Sequence, residues 1–231
     1  MRRALRSITE RITEEMNITE IGKLAFANAV EKGFYDRVLL ADDDRNFTDM
    51  TYVDQVFAVR KNHRWLYGRI ALFHSEVAEA TEIARKRKHS LHGIQYTLGG
   101  KPEGFVIELA DIIIRLSDAW YSMGGQFDPM DANSPRISVD VDLGVVASQD
   151  VAIEGVLVLL NDIHTAISGI SAALPNSQLF KGGSRELADA MWEVVYRVVL
   201  LANWVGLDLH EAIGLKMDYN LGREYMHGKK A

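Results

Sequence analysis

Glu76 and Glu79, in the stretch HSEVAEATE, stand three residues apart, and Glu108 and Asp111, in FVIELADIIIRLSDAW, repeat that spacing. On a helix such residues share a face, with Cβ atoms about 5–6 Å from each other. Two helices of this kind packed antiparallel bring four carboxylates together, where they repel unless protons or cations neutralise them. An all-oxygen set without His or Cys suits Mg²⁺, with Mn²⁺ as the alternative, rather than zinc. The second pair carries more weight than the first. Ile107, Leu109, Ile112, Ile113 and Ile114 crowd it, and a carboxylate buried among apolar groups is costly unless paired or bound to metal. The competing reading keeps these acids in ordinary ion pairs, Asp111 with Arg115 for instance. A chain with 32 acidic residues contains acidic i,i+3 pairs by chance. Glu82, one turn from Arg85 and Lys86, reads as a surface ion pair, and Asp118 reads more readily as a surface pair than as a support for metal ligands.

A second group lies near the C-terminus in KMDYNLGREYMHGKK, where Lys216, Asn220 and Arg223 follow at spacings of four and three. On one helical face they offer a point charge, an amide and a fork of donors, a combination able to grip phosphate. The plainer reading is a solvated basic end that complements a helix dipole. For a nucleobase, Asn28 and Phe34 in FANAVEKGFYD, with His63 and Trp65 in KNHRWLYG, offer amide and aromatic groups. An aromatic at helical spacing nevertheless fills a core more often than it stacks on a ligand.

The elements that must position these groups read as helices near 2–15, 18–33, 63–88, 104–123, 150–174, 184–205 and 208–226, from apolar residues at helical spacing and a scarcity of proline (4 in the chain). The expected fold class is all-α, a helical bundle in a single domain spanning 1–231. The segment ISVDVDLGVV at 137–146 alternates like a strand or extended connector, and 89–103, with LGGKPEG, reads as a loop joining the two acid-bearing helices. The tetrapeptide ELAD occurs at 108–111 and again at 186–189, each time opening an apolar helix. This echo suggests a degenerate duplication, with an acid-bearing half over 1–124 and a second half over 150–231 that ends in the basic tail. Chance similarity of two amphipathic helices is the alternative.

At 231 residues and 48% hydrophobic content the chain can build a sizeable core. It has no cysteine, so disulfides and zinc–thiolate sites are excluded and a cytoplasmic setting is expected. A net charge of −6 argues against bulk nucleic-acid binding, and no uninterrupted apolar run approaches the roughly 20 residues of a membrane span, so no membrane partner is expected.

The ExxE and ExxD pairs, the lead-in KPEGFVIELAD, the segment GLDLHEAI at 206–213 and the ending KMDYNLGREYMHGKK together resemble the MazG-like members of the all-α nucleoside triphosphate pyrophosphohydrolases. The resemblance covers about a third of the chain. It implies that Glu76, Glu79, Glu108 and Asp111 hold Mg²⁺ and that Lys216, Asn220 and Arg223 contact a triphosphate. The expected reaction is hydrolysis of a nucleoside triphosphate to the monophosphate and pyrophosphate, with Glu79 and Glu76 as the catalytic acids; Glu79 is the chosen base and Glu76, Glu108 and Asp111 the ligands, an assignment in which the acids are interchangeable. About 80 residues separate the ExxD helix from GLDLHEAI, where relatives of this type pass almost directly from one to the other. Such a chain would be a homo-oligomer, a dimer, or would mimic one through its two halves. A dUTPase-like narrow specificity competes with a broad house-cleaning role, and a non-catalytic helical module that binds nucleotide or protein is the rival class.

Overall fold

The computed structural model describes residues 18–35, 52–86, 91–123, 153–174 and 185–224. The expectations for 2–15 and 137–146 lie outside these residues. What is described is all-α apart from one small hairpin. The helices are α1 (Ile18–Glu31), α2 (Tyr52–Lys86), α3 (Phe105–Ser122), α4 (Ile153–Ala173), α5 (Arg185–Val205) and α6 (Leu209–Leu221), and strands β1 (Gln95–Tyr96) and β2 (Pro102–Glu103) lie between α2 and α3.

Helix α3 is the centre of the molecule. Its isoleucine-rich sequence confines its charged residues to one stripe, Glu108, Asp111, Arg115 and Asp118, and the fold surrounds even that stripe: every residue of α3 except Arg115 and Tyr121 is buried. Helices α1, α2, α5 and α6 all pack on it. Side chains such as Ile107, Leu109, Ile112, Ile113 and Leu116 are fully enclosed, each stabilising the fold by about 1.5–3 kcal/mol relative to exposure. The approach of α1 depends on Gly22, where a Cβ would stand 2.7 Å from the carbonyl oxygen of Ser117.

Helix α2 starts eleven residues before position 63. Tyr52, Val53, Val56, Phe57 and Val59 favour a strand by local propensity, but they continue a long helix whose Leu66, Phe73 and Val77 are buried in the core. The connection after α2 is also more ordered than a plain loop. Gln95 pairs with Glu103 and Tyr96 with Pro102 in an antiparallel hairpin, closed through Gly100 at φ 74°. Gly104 (φ 146°) then starts α3 so close to Gly93 that a Cβ would fall 2.5 Å from the Gly93 carbonyl.

Helices α4 and α5 form a second hairpin that leans on α2 through α4. Helix α4 has the length and apolar composition of a membrane span. Its stripe of Val156, Leu160, Ile163, Ile167 and Ile170 is buried where α4 meets α2 and α5. Where the hairpins meet, His74 of α2 and His164 of α4 stack, their Nδ1 atoms 2.8 Å apart. Gly206 (φ 76°) ends α5, the chain bends by 115°, and Asp208 caps α6 by accepting a 2.8 Å hydrogen bond from the Glu211 amide. This corner turns α6 back onto α3. Helix α6 stops at Leu221, short of the expected 226, with Gly222 as its C-cap.

Candidate metal and phosphate site

Helical spacing decides what α2 and α3 present to each other. Glu76 and Glu79 lie on the face of α2 that meets α3, and Glu108 and Asp111 lie in the first two turns of α3. Glu76, Glu79 and Glu108 each offer an oxygen within 4.8 Å of the other two. Glu108 is only 5% exposed, and burial, followed by the neighbouring Asp111 carboxylate, pushes its carboxyl up to about 7. Burial also raises Glu76, against the opposing pull of Arg115. Glu79 is the exposed member of the trio.

Asp111 stands apart from that convergence because α6 delivers a cation to it. Lys216 Nζ lies 2.5 Å from Asp111 Oδ2, with both side chains buried. Arg115 reaches across to Glu76, Nε to Oε1 at 2.9 Å. Its N–H is not aligned as a hydrogen bond, so charge rather than direction dominates this contact. The expected alternative partner of Arg115, Asp111 on its own helix, is therefore replaced by an acid on the neighbouring helix. Glu82 does form the surface pair expected of it, with Lys86.

A cleft of about 740 Å³ opens above these acids, within the range of small-molecule sites. Glu76, Glu79, Glu108 and Asp111 line it together with Lys216, Asn220 and Arg223, and Asn28, Phe34 and Trp65 contribute to its wall. The corner at Gly206 is what brings the basic group to the acids. Lys216 and Asn220 sit on α6, while Arg223 follows its end, with its guanidinium 5.7 Å from the Tyr219 ring centre. His63, the fourth base-contact candidate, does not line the cleft. No residue of α4 or α5 lines it either.

Asp118 is the clearest correction to the surface-pair expectation. It is buried, accepts a 2.6 Å hydrogen bond from the Tyr35 hydroxyl, and pairs with Arg69 at 3.4 Å. Arg69 in turn lies over the rings of Tyr35 and Trp65, 5.2 and 5.1 Å from their centres. Burial raises Asp118, and Arg69 and Tyr35 oppose that rise. Burial and the adjacent Asp118 raise Tyr35 well above its usual value, so the shared proton stays on the phenol. This network fixes the Trp65 wall of the cleft. Arg64, Arg69, Arg115 and Lys101 line the cleft too and were not singled out as ligand contacts. Spacing gave Arg115 away only as a partner for Asp111, and nothing local in the sequence marks the others.

No family model, curated protein or solved structure matches this chain. The chemistry of the donor set therefore carries the assignment. Three carboxylate oxygens converge, one on a nine-tenths buried side chain with no ion pair among the described residues, and hard oxygen donors of this kind fit a divalent cation such as Mg²⁺ or Mn²⁺.

Proposed function

We propose that this chain is a metal-dependent nucleoside triphosphate pyrophosphohydrolase of the MazG-like all-α type, converting a nucleoside triphosphate and water to the monophosphate and pyrophosphate. The observation that carries the reading is that carboxylates, a Lys–Asn–Arg group and an aromatic wall, distant in sequence, line one cleft. Glu76, Glu79 and Glu108 would hold the ion, and Asp111 stands beside them in its pair with Lys216. A Mg²⁺ or Mn²⁺ ion bound there supplies Lewis acidity and lowers the pKa of its water.

The remaining chemistry falls to the protein. Glu79, open to the cleft, takes the proton of the attacking water. Lys216, Arg223 and Arg115 offset the charge that grows on the pyrophosphate leaving group, and Asn220 steadies a phosphate or sugar oxygen. At the far end, Phe34 and Trp65 offer apolar surface to a base, and the Asn28 side-chain oxygen is buried without a hydrogen-bond partner. Because the second hairpin leans on α2 without lining the cleft, we read it as a buttress.

A second reading, a nucleotide-binding module without turnover, draws on the Glu76–Arg115 and Asp111–Lys216 pairs, which neutralise two of the acids internally. Incubation with Mg²⁺ and a panel of ribo- and deoxynucleoside triphosphates, followed by detection of pyrophosphate, separates the two. The enzyme reading expects pyrophosphate release that Glu79→Gln reduces by more than the roughly 10–100-fold typical of outer-shell changes at metal sites. Nucleotide binding with no pyrophosphate from any member of the panel would overturn it.

A further inference from the structure

The acid end of the cleft contains its own counter-charges. Of the four carboxylates, Glu76 is paired with Arg115 and Asp111 with Lys216, and Lys101 on the same cleft lies close enough to act on Glu108 and Asp111. The two paired cations are held differently. Arg115 is about one-third exposed, whereas the Lys216 side chain is 5% exposed against an Asp111 side chain at 8%. This buried pairing occupies Asp111, which is absent from the trio of converging acids. Glu108, equally buried, has no such ion pair among the described residues and lines the cleft.

Resting on the metal-dependent reading above, we propose that Lys216 is an exchangeable counter-cation, which keeps Asp111 out of the ion-binding set until a polyphosphate in the cleft draws the ammonium away. A buried charge stripped of its partner is strongly unfavourable. Asp111 therefore gives up Lys216 only to another cation, and Lys216 leaves only for another anion. The two exchanges are coupled: phosphate takes the ammonium as the divalent ion takes the carboxylate.

The local structure suits such an exchange. Asn220, one turn beyond Lys216 on α6, and Arg223 line the same cleft, so an anion held by them sits beside Lys216. The four-carbon lysine stem moves its charge by rotamer changes, without displacing α6. In the free protein the ion site then consists of Glu76, Glu79 and Glu108, and Asp111 completes it only when a phosphate chain is present. Lys216 is in this sense a positioning residue for the ion as well as a phosphate contact. The coupling is reciprocal, and the ion tightens phosphate binding by the factor that phosphate tightens ion binding, about 5–150-fold for typical coupled sites.

The test uses the full-length chain and measures binding, not turnover. Mn²⁺ affinity is followed through the electron paramagnetic resonance of the free ion, without nucleotide, for the natural chain, Lys216→Met, Asp111→Asn and the double variant. Freeing Asp111 is expected to tighten Mn²⁺ binding in Lys216→Met by at least about fivefold. In the Asp111→Asn background the same lysine change is expected to give no such gain, which separates release of Asp111 from a general loss of positive charge. Crystals of the natural chain soaked with Mn²⁺ alone are expected to keep the Lys216–Asp111 pair, and those soaked with Mn²⁺ and inorganic tripolyphosphate to show Asp111 on the ion and Lys216 on a phosphate oxygen. Should Lys216→Met fail to fold, the crystals decide alone.

Asp111 already on the ion with Mn²⁺ alone, an equal gain in both backgrounds, or an intact pair with tripolyphosphate bound would each overturn the exchange while leaving the metal-dependent reading standing. Absence of Mn²⁺ from the trio in every arm would remove both.

Discussion

Replacing Glu108 with glutamine tests the electrostatics of the site without any knowledge of the substrate. The Glu108 carboxyl lies at about 7 in the native state against an ordinary value of 4.5, chiefly because it is buried and then because Asp111 is beside it. The unfolded chain gives up that proton near pH 4.5, whereas the native state keeps it until about pH 7. Between those values the native state binds more protons, so stability falls as pH rises through the window and is flat for this group on either side. At about 1.4 kcal/mol for each pH unit of the window, full burial would correspond to a little over 3 kcal/mol. The cleft is open to water on one side, and screening reduces the expectation to about 1–2 kcal/mol. Glu108→Gln keeps the shape and cannot ionise. In EDTA at pH 8 the variant is expected to melt about 2–8 °C above the natural chain, at about 2–4 °C per kcal/mol for a chain of this size, and at pH 4 the two converge. Saturating Mg²⁺ at pH 8 is expected to stabilise the natural chain by about 2.7 kcal/mol at a hundredfold excess over its dissociation constant, and the variant by less. Melting curves at several pH values, with EDTA and with Mg²⁺, supply the comparison. A variant no more stable than the natural chain at pH 8 in EDTA, or a difference independent of pH, refutes the reasoning.

Gly22→Ala pushes a methyl group against the Ser117 backbone, and separating α1 from α3 is expected to cost about 1–3 kcal/mol by denaturant titration. Tyr35→Phe removes the hydroxyl that donates to buried Asp118, with an expected loss of about 1–3 kcal/mol measured the same way. Burial lowers both His74 and His164, so the unfolded chain takes up protons first as pH drops below 6.5 and stability falls with it. His164→Gln is expected to flatten that acid limb relative to the natural chain, as read from unfolding curves between pH 7.5 and 5.

The helices were legible where periodicity and capping agree. Helices α3, α4 and α5 fall within three residues of their expected limits, because their apolar residues recur at helical spacing and glycine or a polar stretch closes them. The start of α2 was hidden because β-branched and aromatic residues over 52–59 obscure a helix that tertiary packing enforces, and the end of α6 because the periodicity runs on past Gly222. At the site, the acids and the Lys216 group could be named from spacing alone, since i,i+3 and i,i+4 relations are local. Their partners could not. Arg115 chooses Glu76 over Asp111, and Asp118 finds Tyr35 and Arg69, because the cross-helix geometry that decides between neighbouring acids is set by the corners at Gly104 and Gly206 and by the close approach at Gly22.

Helix α3 serves as the floor of the cleft and as the hub of the core, whereas the rim comes from α1, the turn after it, the Arg64–Leu72 part of α2 and the end of α6. These two duties tolerate change unequally. Inserting one residue in α3 between Asp111 and Asp118 would rotate everything beyond it by about 100°, tearing Asp118 from its tyrosine and arginine while also scrambling the packing of four neighbours. Rim positions such as Ala29, Arg64, Leu72 and Leu221 carry no such double duty. A lineage or a library that varied only those would sample new ligand shapes over an unchanged reactive floor, so diversification of this scaffold should concentrate at its edge.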